Sequence, residues 1–153
     1  MNIENKLKEL NIELPEPKSP VGAYVATKIT GKLLFISGQI SIDKDNNLIK
    51  GKIGKELNLD QGYSAAERCG LSLMAHVKKA CGGDLEKIKS CIKITGYVNS
   101  IDSFVEQPKI INGASDIIVK ILDKKGEHTR AAVGVNSLPL GVAVEVDGIF
   151  ELN

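Results

Sequence analysis

Arg130 and Glu145 are the two residues of this chain whose types and setting suit chemistry. They lie in Thr129-Arg130-Ala131-Ala132-Val133-Gly134-Val135 and Val142-Ala143-Val144-Glu145-Val146. A guanidinium grips a carboxylate through two parallel hydrogen bonds and never loses its proton. A carboxylate beside it can hold and activate a water, or pass a proton to a departing amine. Strand alternation predicts two strands joined by a turn near Leu138-Pro139. In such a hairpin Ala132 lies across from Glu145 and Arg130 across from Asp147, which makes Arg130 and Glu145 diagonal neighbours. Two readings fit this arrangement. One is a cross-strand ion pair on a solvated face, which is common and contributes little. The other is a place for a small anion, because Ala132, Gly134 and Ala143 on the same face leave room for a ligand. No other constellation competes. His76 falls in a helix and His128 stands alone beside Arg130, so both read as packed or exposed side chains rather than bases. There is no Ser-His-Asp order, no G-x-G-x-x-G and no P-loop.

Composition narrows the classes. The chain has 153 residues, 20 Lys and Arg against 19 Asp and Glu, and a formal charge of +1. One domain with a real core is expected over residues 1–153, with residues 1–20 as an N-terminal arm. Near-neutral charge argues against nucleic acid or an anionic membrane as partner, and the absence of Trp argues against base-stacking platforms. Cys69, Cys81 and Cys91 form no C-x-x-C pair, so they read as small buried hydrophobes in a reducing compartment. The N-terminus lacks a signal-peptide pattern and no apolar run is long enough to cross a bilayer. A cytoplasmic protein is expected.

The elements that would position Arg130 and Glu145 follow from periodicity. Ile3, Leu7 and Leu10 predict a short helix over 2–10, and Pro15, Pro17 and Pro20 then force an extended lead-in. Runs 24–29 and 33–42, separated by Thr30-Gly31-Lys32, predict a hairpin. Leu34, Ile36, Gly38 and Ile40 would share one face of its second strand, and 48–53 a short third strand. Asn58 and Gln61 form a capping-box pattern for a helix running to about Ala80, with Ala65, Cys69, Leu73 and Val77 as its apolar stripe. Gly82-Gly83 stops it. Cys91 to Val98 reads as a strand. Asp102 or Ser103 can cap a second long helix, with Pro108 in its first turn and Ile110, Ile111, Ile117, Ile118 and Ile121 on its buried side. The order ββ(β)-α-β-α-ββ is most simply an α+β sheet with two helices packed on one face. The face left bare calls for oligomerisation.

Gly22-Ala23-Tyr24-Val25, Leu34-Phe35-Ile36-Ser37-Gly38-Gln39-Ile40, Thr129-Arg130-Ala131-Ala132-Val133, Leu138-Pro139 and Val144-Glu145-Val146 together resemble the Rid (reactive intermediate deaminase) family, also called YjgF-like or endoribonuclease L-PSP. The resemblance runs from about Pro20 onward. It implies a chorismate-mutase-like α+β fold assembled as a homotrimer with clefts between subunits. It also implies that Arg130 binds a substrate carboxylate and that Glu145 positions water or the leaving nitrogen. Tyr24, Ser37 and Gly38 would line the cleft, with no metal or cofactor required. The chain departs from better-known members at Ala132, where a Cys is usual, and at Asp102, where an Asn is usual. The arm and the 107–116 stretch resemble a longer subgroup. The implied activity is hydrolysis of a reactive 2-imino acid, of the 2-iminobutanoate or 2-iminopropanoate type, to a 2-oxo acid and ammonia. Alternatives are a non-catalytic binder of small carboxylates and, last, an endoribonuclease.

Overall fold

The computed structural model describes residues 2–153. Helix α1 (Ile3–Glu9) starts at Asn2, whose side chain accepts a 2.8 Å hydrogen bond from the Asn5 N–H. It buries Ile3 and Leu7 and packs beside the second long helix. An extended segment over 12–20 follows. Strands β1 (Thr27–Thr30) and β2 (Leu33–Ile40) form the expected hairpin.

Helix α2 (Leu59–Ala80) opens with the reciprocal capping box: Asn58 and Gln61 each accept the other's N–H at 2.9 Å. Strand β3 (Ile88–Asn99), helix α3 (Gln107–Leu122), strand β4 (Thr129–Val135) and strand β5 (Val144–Leu152) complete the chain. The five strands form one mixed sheet in the order β1-β2-β5-β3-β4. α2 and α3 pack on one face of it, over Leu34, Ile94, Val146 and Phe150, all fully buried. Each such side chain contributes about 1.5–3 kcal/mol when removed from water. The two helices touch closely because Gly113 has no side chain: a Cβ there would lie 2.1 Å from the Tyr63 carbonyl oxygen. The three cysteines are buried and unpaired, as read from their spacing.

The terminal hairpin does not form. β4 pairs parallel with β3, and β5 pairs antiparallel with β3 on its other side and with β2. The reason lies in chain order. β3, α3 and β4 make a crossover unit that delivers β4 parallel beside β3. The chain then steps over the end of β3 through residues 136–143 and inserts β5 into the middle of the sheet. Lys52 clamps this step: its ammonium donates to Asn99 Oδ1 at 2.9 Å, to the Ser100 carbonyl at 3.3 Å and to the Asn136 carbonyl at 2.5 Å. Asn99 Nδ2 in turn donates to the Val142 carbonyl at 3.1 Å.

Three smaller expectations also change. Residues 48–53 make only isolated bridges, from Leu48 to Ile42, from Lys50 to Val142 and from Ile53 to Leu57 and Ser100, and no strand. Neither Asp102 nor Ser103 caps α3; Glu106 precedes it without a side-chain cap, and Pro108 sits in the first turn. The register of β2 slips between Ile36 and Gln39, so Leu34 and Ile36 are buried while Gly38 is exposed and Ile40 pairs with Glu145. A bulge puts an extra residue against the partner strand and breaks the alternation on which a shared face depends.

Cross-strand partners share a face, so the register sorts the whole sheet. Ile36, Gly148, Ile94 and Arg130 form one row on the helix-covered face. Ile40, Glu145, Tyr97 and Val133 form one row on the other. That uncovered face also carries Phe35 beside Ile149. Phe35 is 40% and Val133 43% exposed.

Candidate functional site

Tyr24, Ser37, Gly38 and Glu145 line one cavity of ≈ 410 Å³. It lies where the β2 bulge, the start of β5, α2 and the 15–21 arm segment meet. Ser37 Oγ donates to the Val25 carbonyl at 2.7 Å, which ties the loop carrying Tyr24 to the bulge. Gln39 Nε2 donates back to the Ser37 carbonyl at 2.9 Å. Gly38 is needed for close approach: a Cβ there would stand 2.9 Å from Glu145 Cδ. Burial raises the Glu145 carboxyl above its ordinary range, and the nearby Asp147 charge adds to the effect. A carboxylate poised this way holds a proton more readily than a solvated one, which suits a group that takes and returns protons.

Arg130, Ala132 and Asp102 lie elsewhere in the chain. Arg130 stands on edge strand β4, on the face opposite Glu145. Its Nη1 donates to Asn112 Oδ1 at 2.8 Å and to Ser115 Oγ at 3.2 Å, and Nη2 to the Pro108 carbonyl at 3.4 Å. Ser115 Oγ also meets His128 Nε2 at 2.9 Å, while His128 Nδ1 meets the Gly126 carbonyl at 2.6 Å. Nδ1 therefore donates, Nε2 accepts from Ser115, and Ser115 is free to accept from Arg130. His128 is a support for Arg130 rather than a base. Ala132 packs against the core beneath α3. Asp102 lines a separate hollow of ≈ 290 Å³ with Gln107, Gly134 and Asn136. Neither the hairpin diagonal nor a shared face joins Arg130 to Glu145 within one chain.

Residues 4–151 match a family model described as "YjgF/chorismate_mutase-like, putative endoribonuclease". The chain belongs to this family. Its sheet and helices are the YjgF chorismate-mutase-like α+β fold. Protein TCP17 of Trypanosoma cruzi is 39% identical over 148 residues, 96% of this chain and 92% of that protein. The crystal structure of Atu1372 from Agrobacterium tumefaciens, titled as of unknown function, is 42% identical with a TM-score of 0.91, covering 99% of this chain and 92% of its own. A Shewanella oneidensis MR-1 structure titled "putative endoribonuclease" is 32% identical with a TM-score of 0.94, covering 99% and 100%. Both structures thus extend over the N-terminal arm. Membership of the YjgF family supports a role in processing small molecules.

Within this YjgF-family chain the cavity has a further wall that motif reading missed. Arg68, Ser72 and His76 on α2 all line it. Their spacing was the available signal: they recur every four residues beside the apolar stripe Ala65, Cys69, Leu73 and Val77, so they form a polar ridge at the edge of the buried face. His76 is 3% exposed, and burial, with Lys79 nearby, lowers its pKa from the ordinary value. Among the described residues no group of three or more His, Cys, Asp or Glu side chains is arranged to hold a metal ion, and no helix is long and apolar enough to cross a membrane.

Proposed function

We propose that this protein hydrolyses reactive 2-imino acids to 2-oxo acids and ammonia, in a cleft completed by a second copy of the chain in a homotrimer. The observation that carries this reading is Glu145, a half-buried carboxylate with raised proton affinity in a concave cavity beside Tyr24 and Ser37. The partly apolar uncovered face, with Phe35 and Val133 exposed, supports assembly through that face. Arg130, brought by a neighbouring copy, grips the substrate carboxylate. Asn112 and Ser115 hold its guanidinium in place beforehand, which lowers the entropy lost on binding. Ala132, two residues along β4, and Asp102, in the hollow at the far end of that strand, belong to that same contributed half.

The chemistry needs little more. Glu145 takes a proton from water as its oxygen bonds to the imine carbon, and the C=N π electrons move to nitrogen. The proton then passes to the nitrogen of the tetrahedral adduct. Glu145 then takes the adduct's hydroxyl proton and passes it to the same nitrogen as the C–N bond breaks, so that ammonia leaves and the carbonyl forms. Imines already hydrolyse in water, so orientation and one proton shuttle are adequate. A formal charge of +1 gives little grip on a polyphosphate chain, which ranks ribonuclease behind this reading.

The test is release of pyruvate from 2-iminopropanoate generated in situ by a dehydratase. Wild type is expected to exceed the uncatalysed rate and Arg130→Ala to fall back toward it. Wild type that matches the uncatalysed rate sinks the proposal for this substrate.

A further inference from the structure

The cavity holds more than a single carboxylate anchor and a base require. Arg68, Ser72 and His76 stand one helical turn apart on α2 and face the same space as Glu145. Two of them have unused hydrogen-bonding capacity. His76 is 3% exposed, yet its imidazole has no hydrogen-bond partner among the described residues. Neither ring nitrogen is sealed from solvent, so both are open to a ligand that enters the cavity. Arg68 is fixed by its Nε, which donates to the Ile42 carbonyl at 2.9 Å. Its two terminal amino groups have no hydrogen-bond acceptor and no ion-pair partner among the described residues.

Among the described residues no carboxylate lies within ion-pair distance of the Arg68 guanidinium. Asp43 lines the cavity and feels the Arg68 charge, but its Oδ1 accepts the N–H groups of Asp45 and Asn47 at 2.8 and 2.9 Å. Glu16 and Lys18 on the arm are exposed and opposite in sign, so water screens both. Glu145 belongs to the reacting end. What remains is a held guanidinium fork with its paired donors free, a hydroxyl, and a desolvated imidazole. That set matches a carboxylate, which the fork binds through two parallel bonds.

We propose that Arg68, Ser72 and His76 form a second anchoring subsite, which selects 2-imino acids bearing a carboxylate at the far end of their side chain. The inference rests on the imine-hydrolase reading of Glu145 given above. Arg130 from the neighbouring copy takes the carboxylate next to the imine, Glu145 acts between, and Arg68 takes the distal one. The cavity of ≈ 410 Å³ has room for the longer substrate. Arg68 and its two companions are specificity residues, with no part in the bond-making steps.

The experiment compares 2-iminosuccinate with 2-iminopropanoate, each generated in situ by an amino-acid oxidase, in wild type, Arg68→Gln and Arg68→Lys. Folding of the variants is checked by thermal melting. Wild type is expected to prefer the dicarboxylate in kcat/KM. Arg68→Gln should cut that preference by roughly 30-fold, the loss of one charge-assisted contact, and Arg68→Lys should restore part of it. A wild type without the preference, or an Arg68→Gln that loses both substrates equally, overturns the subsite. Equal loss would mean that Arg68 holds the carboxylate next to the imine. If wild type hydrolyses neither imine, the hydrolase reading fails and the subsite is judged separately, by calorimetry with 2-oxosuccinate and pyruvate. Tighter binding of the dicarboxylate that is lost in Arg68→Gln supports it; equal affinities overturn it. The same titration read by NMR should move the His76 pKa upward when 2-oxosuccinate binds, and an unmoved His76 removes that residue from the subsite.

Discussion

Glu145 lines a concave cavity on a central strand, whereas Arg130 stands on an edge strand with its guanidinium already tied to α3. Four segments distant in sequence converge on Glu145: the arm, the β2 bulge, α2 and β5. The Arg130 guanidinium is held by three oxygens of α3. Desolvation governs the first region and raises proton affinity. Hydrogen bonding to neutral oxygens governs the second and fixes direction without neutralising charge. The two regions thus differ in kind: one holds a carboxyl of raised proton affinity in a hollow, the other a cation oriented by α3.

The largest expected effect tests the cavity side. Glu145→Gln should lower imine hydrolysis by roughly 100-fold or more, the usual worth of a positioned proton shuttle. Its thermal stability at neutral pH should hold or rise. The carboxyl's folded pKa is raised, so the native state loses stability as pH climbs from the ordinary glutamate range through that raised value, and an uncharged Gln escapes this cost. A variant that melts early, or one that keeps its rate, removes Glu145 from the mechanism.

Joining the two regions has its own test. Arg130→Ala should lower kcat/KM by roughly 30-fold or more, mostly through KM. Unfolding and refolding equal amounts of Arg130→Ala and Glu145→Gln chains together should then restore activity at about a quarter of the sites, those whose two halves come intact from different copies. Mixtures as inactive as the parents would place both residues in separate sites.

Gly38→Ala sharpens the comparison by perturbing only one side. The added methyl meets Glu145 at 2.9 Å, so the carboxylate must shift; roughly tenfold lower kcat is expected with KM little changed. In the pH profile of kcat/KM, the acidic limb should lie above 4.5, because Glu145 must be ionised to accept a proton and its pKa is raised from that value. Asp147→Asn removes the second cause of the shift and should move the limb downward; a limb that stays put assigns it to another group. The smallest effect is structural. Asn58→Ala breaks the α2 capping box and should cost about 1 kcal/mol in denaturant unfolding, leaving kinetics at 25 °C unaltered.

Much of the fold was legible along the chain. The α2 capping box, the apolar stripe of α3 and the β1–β2 hairpin depend on residues a few positions apart, and all appear as read. The grouping of Tyr24, Ser37, Gly38 and Glu145 was carried by family resemblance, and those four residues do line one cavity. The pairing of β4 with β5 was misread, because two alternating runs flanking a turn look alike whether they pair or a third strand comes between them. Arg68 and Ser72 went unnoticed, and His76 was read as a packed or exposed side chain, because a polar ridge beside an apolar stripe resembles an ordinary solvated helix flank until the arm and the bulge close over it.

The sequence by itself determined the elements, the covered face of each helix and the candidates Arg130 and Glu145, since these follow from side-chain type and short-range period. Tertiary structure decided that β5 inserts beside β3, which sends Arg130 and Glu145 to opposite faces of one sheet. The physical reason is that strand order is set by long-range burial and by the handed crossover through α3, neither of which leaves a mark on local spacing. The same insertion moved an apparent ion pair onto opposite faces of one sheet, and only the packed molecule shows which side chains keep hydrogen-bonding capacity to spare.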